Sequence, residues 1–150
     1  MKRVGLSLAI GTWIFTTMGL ITAAPGYAEA NEDEPTCTLK TLKGRYLFAT
    51  TGSNIVESVP QPIAIVEVID ASGDGALNVP AVTLSANGTI LRFVDVGGSY
   101  IVNEDCTGTI TFVTDVHLDI FIAPNGNEFY LIQTDPNAVL AAVARRVSRK

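Results

Sequence analysis

The chain has few of the residues that usually carry chemistry. Among 150 residues there are one histidine, two cysteines and one tryptophan. With His117 as the only imidazole and no Cys-x-x-Cys spacing, neither a zinc site nor a dithiol redox centre is expected. A nucleophilic triad needs a base beside Ser or Cys. His117 shares a strand face with Asp119 and Phe121, opposite Leu118, Ile120 and Ile122, and reads as a polar strand edge. The run Asp70-x-Ser72-x-Asp74-Gly75 starts like a calcium loop, but its twelfth position is Ala81 instead of a bidentate Glu, so a plain hairpin turn is expected. No cofactor and no metal are anticipated, and no catalytic residue is assigned.

Positive charge is also scarce. The formal net charge is −5. Residues 31–144 hold only Lys40, Lys43, Arg45 and Arg92 against fourteen carboxylates. Such a surface repels phosphate backbones, which argues against nucleic acid as a partner. Arg145, Arg146, Arg149 and Lys150 crowd the C-terminus and read as a solvated tail.

Long apolar runs are confined to the start. Lys2 and Arg3 precede an apolar stretch from Val4 to Ala24, which Pro25-Gly26 ends, and Ala28-Glu29-Ala30 fits a small-x-small cleavage site. Residues 1–30 therefore read as a signal peptide, cut after Ala28 or Ala30, with no membrane span left after cleavage. The competing reading is an uncleaved anchor, because the run is nearly long enough to span a bilayer. Export predicts a periplasmic or extracellular protein. In that setting two cysteines pair, so a Cys37–Cys106 disulfide closing a loop of about 70 residues is expected.

Residues 31–43 begin acidic and apolar-poor and are expected to be loose except where Cys37 ties them down. Residues 44–150 read as a single β domain. Short apolar or β-branched segments recur every 8–12 residues or so between Gly, Asn, Asp and Pro turns, Asn87-Gly88 being the strongest hairpin signal. The last segment, Val139 to Val147, fits both helical and strand periodicity and is taken as a strand that covers an otherwise open edge. The fold class is all-β: a small antiparallel β-barrel of eight or nine strands following an N-terminal signal peptide. A short internal echo, Gly44-x-Tyr46 and Gly98-x-Tyr100, suggests two strands entered with the same local geometry.

Gly98-x-Tyr100-x-Val102-Asn-x-Asp105-Cys106-Thr107-Gly108-Thr-x-Thr111, with the closing Val-Ala-Arg145-Arg146, resembles a group of exported bacterial proteins of unknown function. The resemblance implies a small antiparallel barrel similar to allene-oxide-cyclase-like or lipocalin-like barrels. It brings no catalytic residues.

Glu67 and Arg92 stand alone as charges in otherwise apolar strands, Glu67 on the face of Ile63, Ile65 and Ile69. If that face is inward, Arg92 is a candidate partner, and the two together would orient the polar end of a ligand. The expected function is an exported, non-enzymatic barrel that binds a small apolar ligand or an envelope or extracellular partner. The alternatives are a purely structural or assembly barrel with a filled interior, or a cavity enzyme of isomerase or cyclase type.

Overall fold

The computed structural model describes residues 36–149. The segment read as a signal peptide, and most of the acidic stretch after it, lie outside the described residues. Nine strands follow a short 3-10 helix at Leu39–Leu42: β1 Gly44–Val56, β2 Val59–Ala71, β3 Ala76–Ala86, β4 Thr89–Phe93, β5 Val96–Val102, β6 Thr107–Phe112, β7 His117–Ile122, β8 Glu128–Gln133 and β9 Ala138–Ser148. Every pairing is antiparallel. Strand β1 pairs with β2 and β9, and the β2–β3 pairing closes the circuit, giving an eight-stranded barrel with β4 as an extra strand on β3. The final segment is a strand, in register with β1 and β8.

Two irregularities shape the barrel. The first is in β3. Leu77 and Val79 point inward, then Val82 and Leu84 do, so the inward set changes parity at Pro80-Ala81. Opposite, β2 spends one residue fewer, pairing Val68 with Ala81 and Asp70 with Asn78. This is a bulge, and Pro80 occupies it because no ladder donor is needed there. Before the bulge β3 pairs with β5; after it, β3 pairs with β4. β4 and β5 lie along β3 in the same register, broken at Val94-Asp95, where Asp95 has φ of 54°.

The second is unequal strand length. β1 and β2 run for 13 residues each, while β6, β7 and β8 have 6 each. The long strands project past the short ones at one end, which we call the open end. Pro60 and Pro62 do not stop β2. Both sit in phase on the β2 edge facing away from β1, and β3 pairs only from Ile63 onward, so their missing N–H groups face no strand.

The other end is closed and filled. Leu42, Tyr46, Ile69, Ile110, Ile120 and Phe129 are almost fully buried, with the Tyr46 and Phe129 rings edge-to-face at 5.1 Å. The 3-10 helix plugs this end. Its Leu42 joins the core, so residues 37–43 are packed rather than loose; Leu39 and Leu42 supply the apolar surface that the acidic stretch before them lacks. Cys37 and Cys106 are bonded, with Cα atoms 5.0 Å apart, and the Cys37 N–H donates to Glu104 O. The Asp105-Cys106-Thr107-Gly108 run is architectural. Asp105 Oδ1 accepts from the Thr107 N–H and hydroxyl and shapes the turn that presents Cys106 to Cys37.

The two Gly-x-Tyr echoes serve the plug. Tyr100 Oη donates to Leu39 O and accepts from the Gly73 N–H. Tyr46 Oη donates to Gly126 O at 2.8 Å and accepts from Arg146 Nε and Nη2. Arg146 Nη2 also donates to Thr41 O, and its guanidinium lies 5.3 Å from the Tyr46 ring centre. Arg146 is thus a structural anchor, in contrast to the solvated tail expected from the sequence. Gly126, at φ of 65°, is required here, since a Cβ would sit 2.0 Å from Thr41 O. Tyr46→Phe leaves the buried Gly126 carbonyl without its side-chain donor and removes one of the acceptors of Arg146. It is expected to cost about 2 kcal/mol, read by urea denaturation; an unchanged midpoint would contradict this role.

Candidate ligand cavity at the open end

Where the long strands overhang the short ones, the interior is not filled. A cavity of about 300 Å³ opens there. One wall is Phe48 of β1, Val79, Val82 and Leu84 of β3 and Phe93 of β4; the other is Phe112, Val116 and Leu118 around the β6–β7 turn. The geometry follows from the sequence. The Pro80-Ala81 bulge keeps Val82 and Leu84 inward, and the short β6 and β7 stop before they can cover them. Among the described residues only two polar side chains line the space, Glu67 and Thr114.

Glu67 faces inward, as its face-sharing with Ile63 and Ile69 required. Its register partners are Phe48 on β1 and Val82 on β3. No hydrogen bond or ion pair reaches its carboxyl from the described residues. The apolar surroundings desolvate it and push its pKa up to about 7.

Arg92 is elsewhere. It pairs with Thr83 on the outer face of β4 and is exposed. The period-2 alternation of a strand decides this: Phe93, beside Val82, enters the cavity, and the residue next to it must point out. The structure does not bring Glu67 and Arg92 together.

His117 has a carboxylate partner, although a different one from its strand-mate Asp119. Its Nδ1 lies 2.7 Å from Asp135 Oδ1, and its Nε2 lies 3.8 Å from Asp115. The hydrogen bond to Asp135 raises the His117 pKa. Asp135 also accepts from the His117 N–H and the Gln133 amide, which together with the imidazole hold its pKa near 2. This cluster braces the β8–β9 turn on the outer rim; the cavity-facing neighbour is Leu118. In the Asp70–Gly75 turn, Arg45 grips Asp70 with two 2.6 Å bonds, and Asp74 accepts from the Ser72 hydroxyl and the Ala76 N–H. Among the described residues no three His, Cys, Asp or Glu side chains gather as a metal site would require.

The closed end mixes a basic cleft with the carboxylates Asp74, Glu104 and Asp105, whereas the open-end turns carry carboxylates alone among the described residues. Lys40, Lys43, Arg146 and Arg149 line one cleft at the closed end. The open-end turns carry Glu57, Asp95, Asp115 and Asp135. Among the described residues no helix is long and apolar enough to cross a membrane.

No family model matches the chain, and neither a curated protein nor a solved structure does.

Proposed function

We propose that this is an exported, non-enzymatic barrel that binds one small apolar molecule in the open-end cavity. The observation that carries this reading is the apolar hollow of about 300 Å³, whose size lies at the lower end of the ligand-site range. The filled closed half and the disulfide give a rigid base, which lowers the ordering cost of binding. Export fits a disulfide-tied chain, since such bonds persist in oxidising compartments.

A second reading, a protein partner in the envelope or medium, has its own observation. Leu47, Val66, Phe121, Tyr130, Ile132 and Val139 form an exposed apolar band across the outer faces of β1, β2, β7, β8 and β9.

The neutral probe N-phenyl-1-naphthylamine tests the first reading. Its fluorescence is expected to rise on binding to the wild type, and Leu84→Trp, which fills the cavity, is expected to abolish the rise. Arg92→Trp adds the same bulk on the outer face and should leave it intact. Equal responses from the two variants would contradict the reading.

A further inference from the structure

We propose that the open-end cavity takes an apolar molecule bearing a single protonated amine, whose ammonium seats against the Glu67 carboxyl. This rests on reading the cavity as a ligand site and names the ligand's chemical class.

The argument starts from an incomplete interaction. A carboxyl on an apolar wall is costly to ionise unless something pairs with it. Glu67 has Phe48 and Val82 beside it and no partner among the described residues. The elements around it offer none: β4 presents Phe93, β5 Val96, β6 Phe112, the β6–β7 turn Thr114 and Val116, and β7 Leu118. No cation enters the cavity from any of them. The one nearby arginine, Arg92, points out of the opposite face of its strand. The missing partner is therefore a donor that arrives with the ligand.

Three ligand head groups would satisfy a carboxyl to different degrees. An anion is repelled once Glu67 ionises. A neutral alcohol supplies one ordinary hydrogen bond. An ammonium supplies a charge-assisted bond, about twice as strong, and neutralises the charge the apolar walls disfavour. The surroundings select the same head group. Asp95 lies between the cavity-lining Phe93 and Val96, and Asp115 between the cavity-lining Thr114 and Val116, so both carboxylates stand beside the mouth. A cation is drawn toward this mouth and an anion away from it. The length of the cavity's apolar wall then asks for a hydrocarbon body behind the amine.

The test compares three probes with one tail, n-octylamine, octan-1-ol and octanoate, by calorimetry on the full mature protein. At pH 8 octylammonium is expected to bind roughly tenfold tighter than octanol, and octanoate weakest. The amine stays protonated across the range studied, as a lysine does. Its affinity should therefore rise between about pH 6 and 8 as Glu67, with its pKa near 7, loses its proton. His117 titrates in a neighbouring range on the outer rim, so two variants separate the groups. Glu67→Gln is expected to lose both the amine preference and its pH dependence; His117→Asn is expected to keep both. Circular dichroism confirms that each variant is folded. Equal binding of octanol and octylammonium, a preference for octanoate, or a Glu67→Gln variant that still favours the amine would each overturn the proposal and leave the cavity standing as a ligand site. Binding of none of the three would overturn both.

Discussion

Reduction of the Cys37–Cys106 bond is expected to cost roughly 4 kcal/mol of stability, the chain-entropy value for a loop of this length. The sequence separation is 69 residues. The full figure is expected because the tethered segment is part of the core. Cys37 and Leu42 are each 2% exposed, and the 3-10 helix accepts bonds from Tyr100 and Arg146. Opening the bond frees the plug in the unfolded chain and loosens it in the folded one. The closed end, where the Tyr46–Gly126–Arg146 network sits, should fray first. Urea denaturation of oxidised and reduced protein gives the difference directly, and Cys106→Ser should resemble the reduced wild type. A loss under about 1 kcal/mol would mean that the plug holds without its tether.

Replacement of Glu67 by Gln is expected to stabilise the protein at alkaline pH, by up to about 3 kcal/mol, and to change little near pH 4. The size follows from a pKa raised from 4.5 to about 7, at about 1.4 kcal/mol per unit. The direction follows from linkage. Between those two values the folded state holds a proton that the unfolded state has released, so stability falls as pH rises through the window. Above it the full penalty of an ionised carboxyl in the cavity is present; below both values it vanishes. His117 acts in the same direction over an overlapping range. Its raised pKa gives a contribution present at low pH and lost as pH rises through the folded value. Asp74, Asp105 and Asp135 act in the opposite direction: lowered by hydrogen bonds, they add stability that is lost only in acid, for Asp135 as pH falls toward 2. Stability curves from pH 4 to pH 9 for wild type, Glu67→Gln and His117→Asn separate these groups. A Glu67→Gln curve parallel to that of the wild type would contradict the desolvated carboxyl.

The strands and the barrel were legible because their signals are local. Asn87-Gly88 makes a two-residue hairpin with both residues at positive φ, and the strand assignment of Val139 to Val147 holds. The β1–β2 turn was not legible. Its residues, Glu57 and Ser58, both take positive φ without any of the usual glycine, asparagine or aspartate. Prolines such as Pro60 and Pro62 ordinarily interrupt a strand, and the unpaired edge they face explains why β2 continues through them.

The site was half legible. Glu67 could be assigned to a face by its own strand's alternation. Arg92 could not be joined to it, because that needs the register between β3 and β4 and the bulge at Pro80-Ala81. Asp135 rather than Asp119 as the partner of His117, and Arg146 as an anchor, depend on contacts 18 and 100 residues apart along the chain, which no local pattern carries.

The central claim is that the open-end cavity holds a small molecule. Native mass spectrometry of the protein purified from its own host tests it most directly. The account predicts one small apolar molecule per chain, retained by the wild type and by Arg92→Trp and lost from Leu84→Trp. A bare chain mass for the wild type, or a bound molecule that persists in Leu84→Trp, would contradict it.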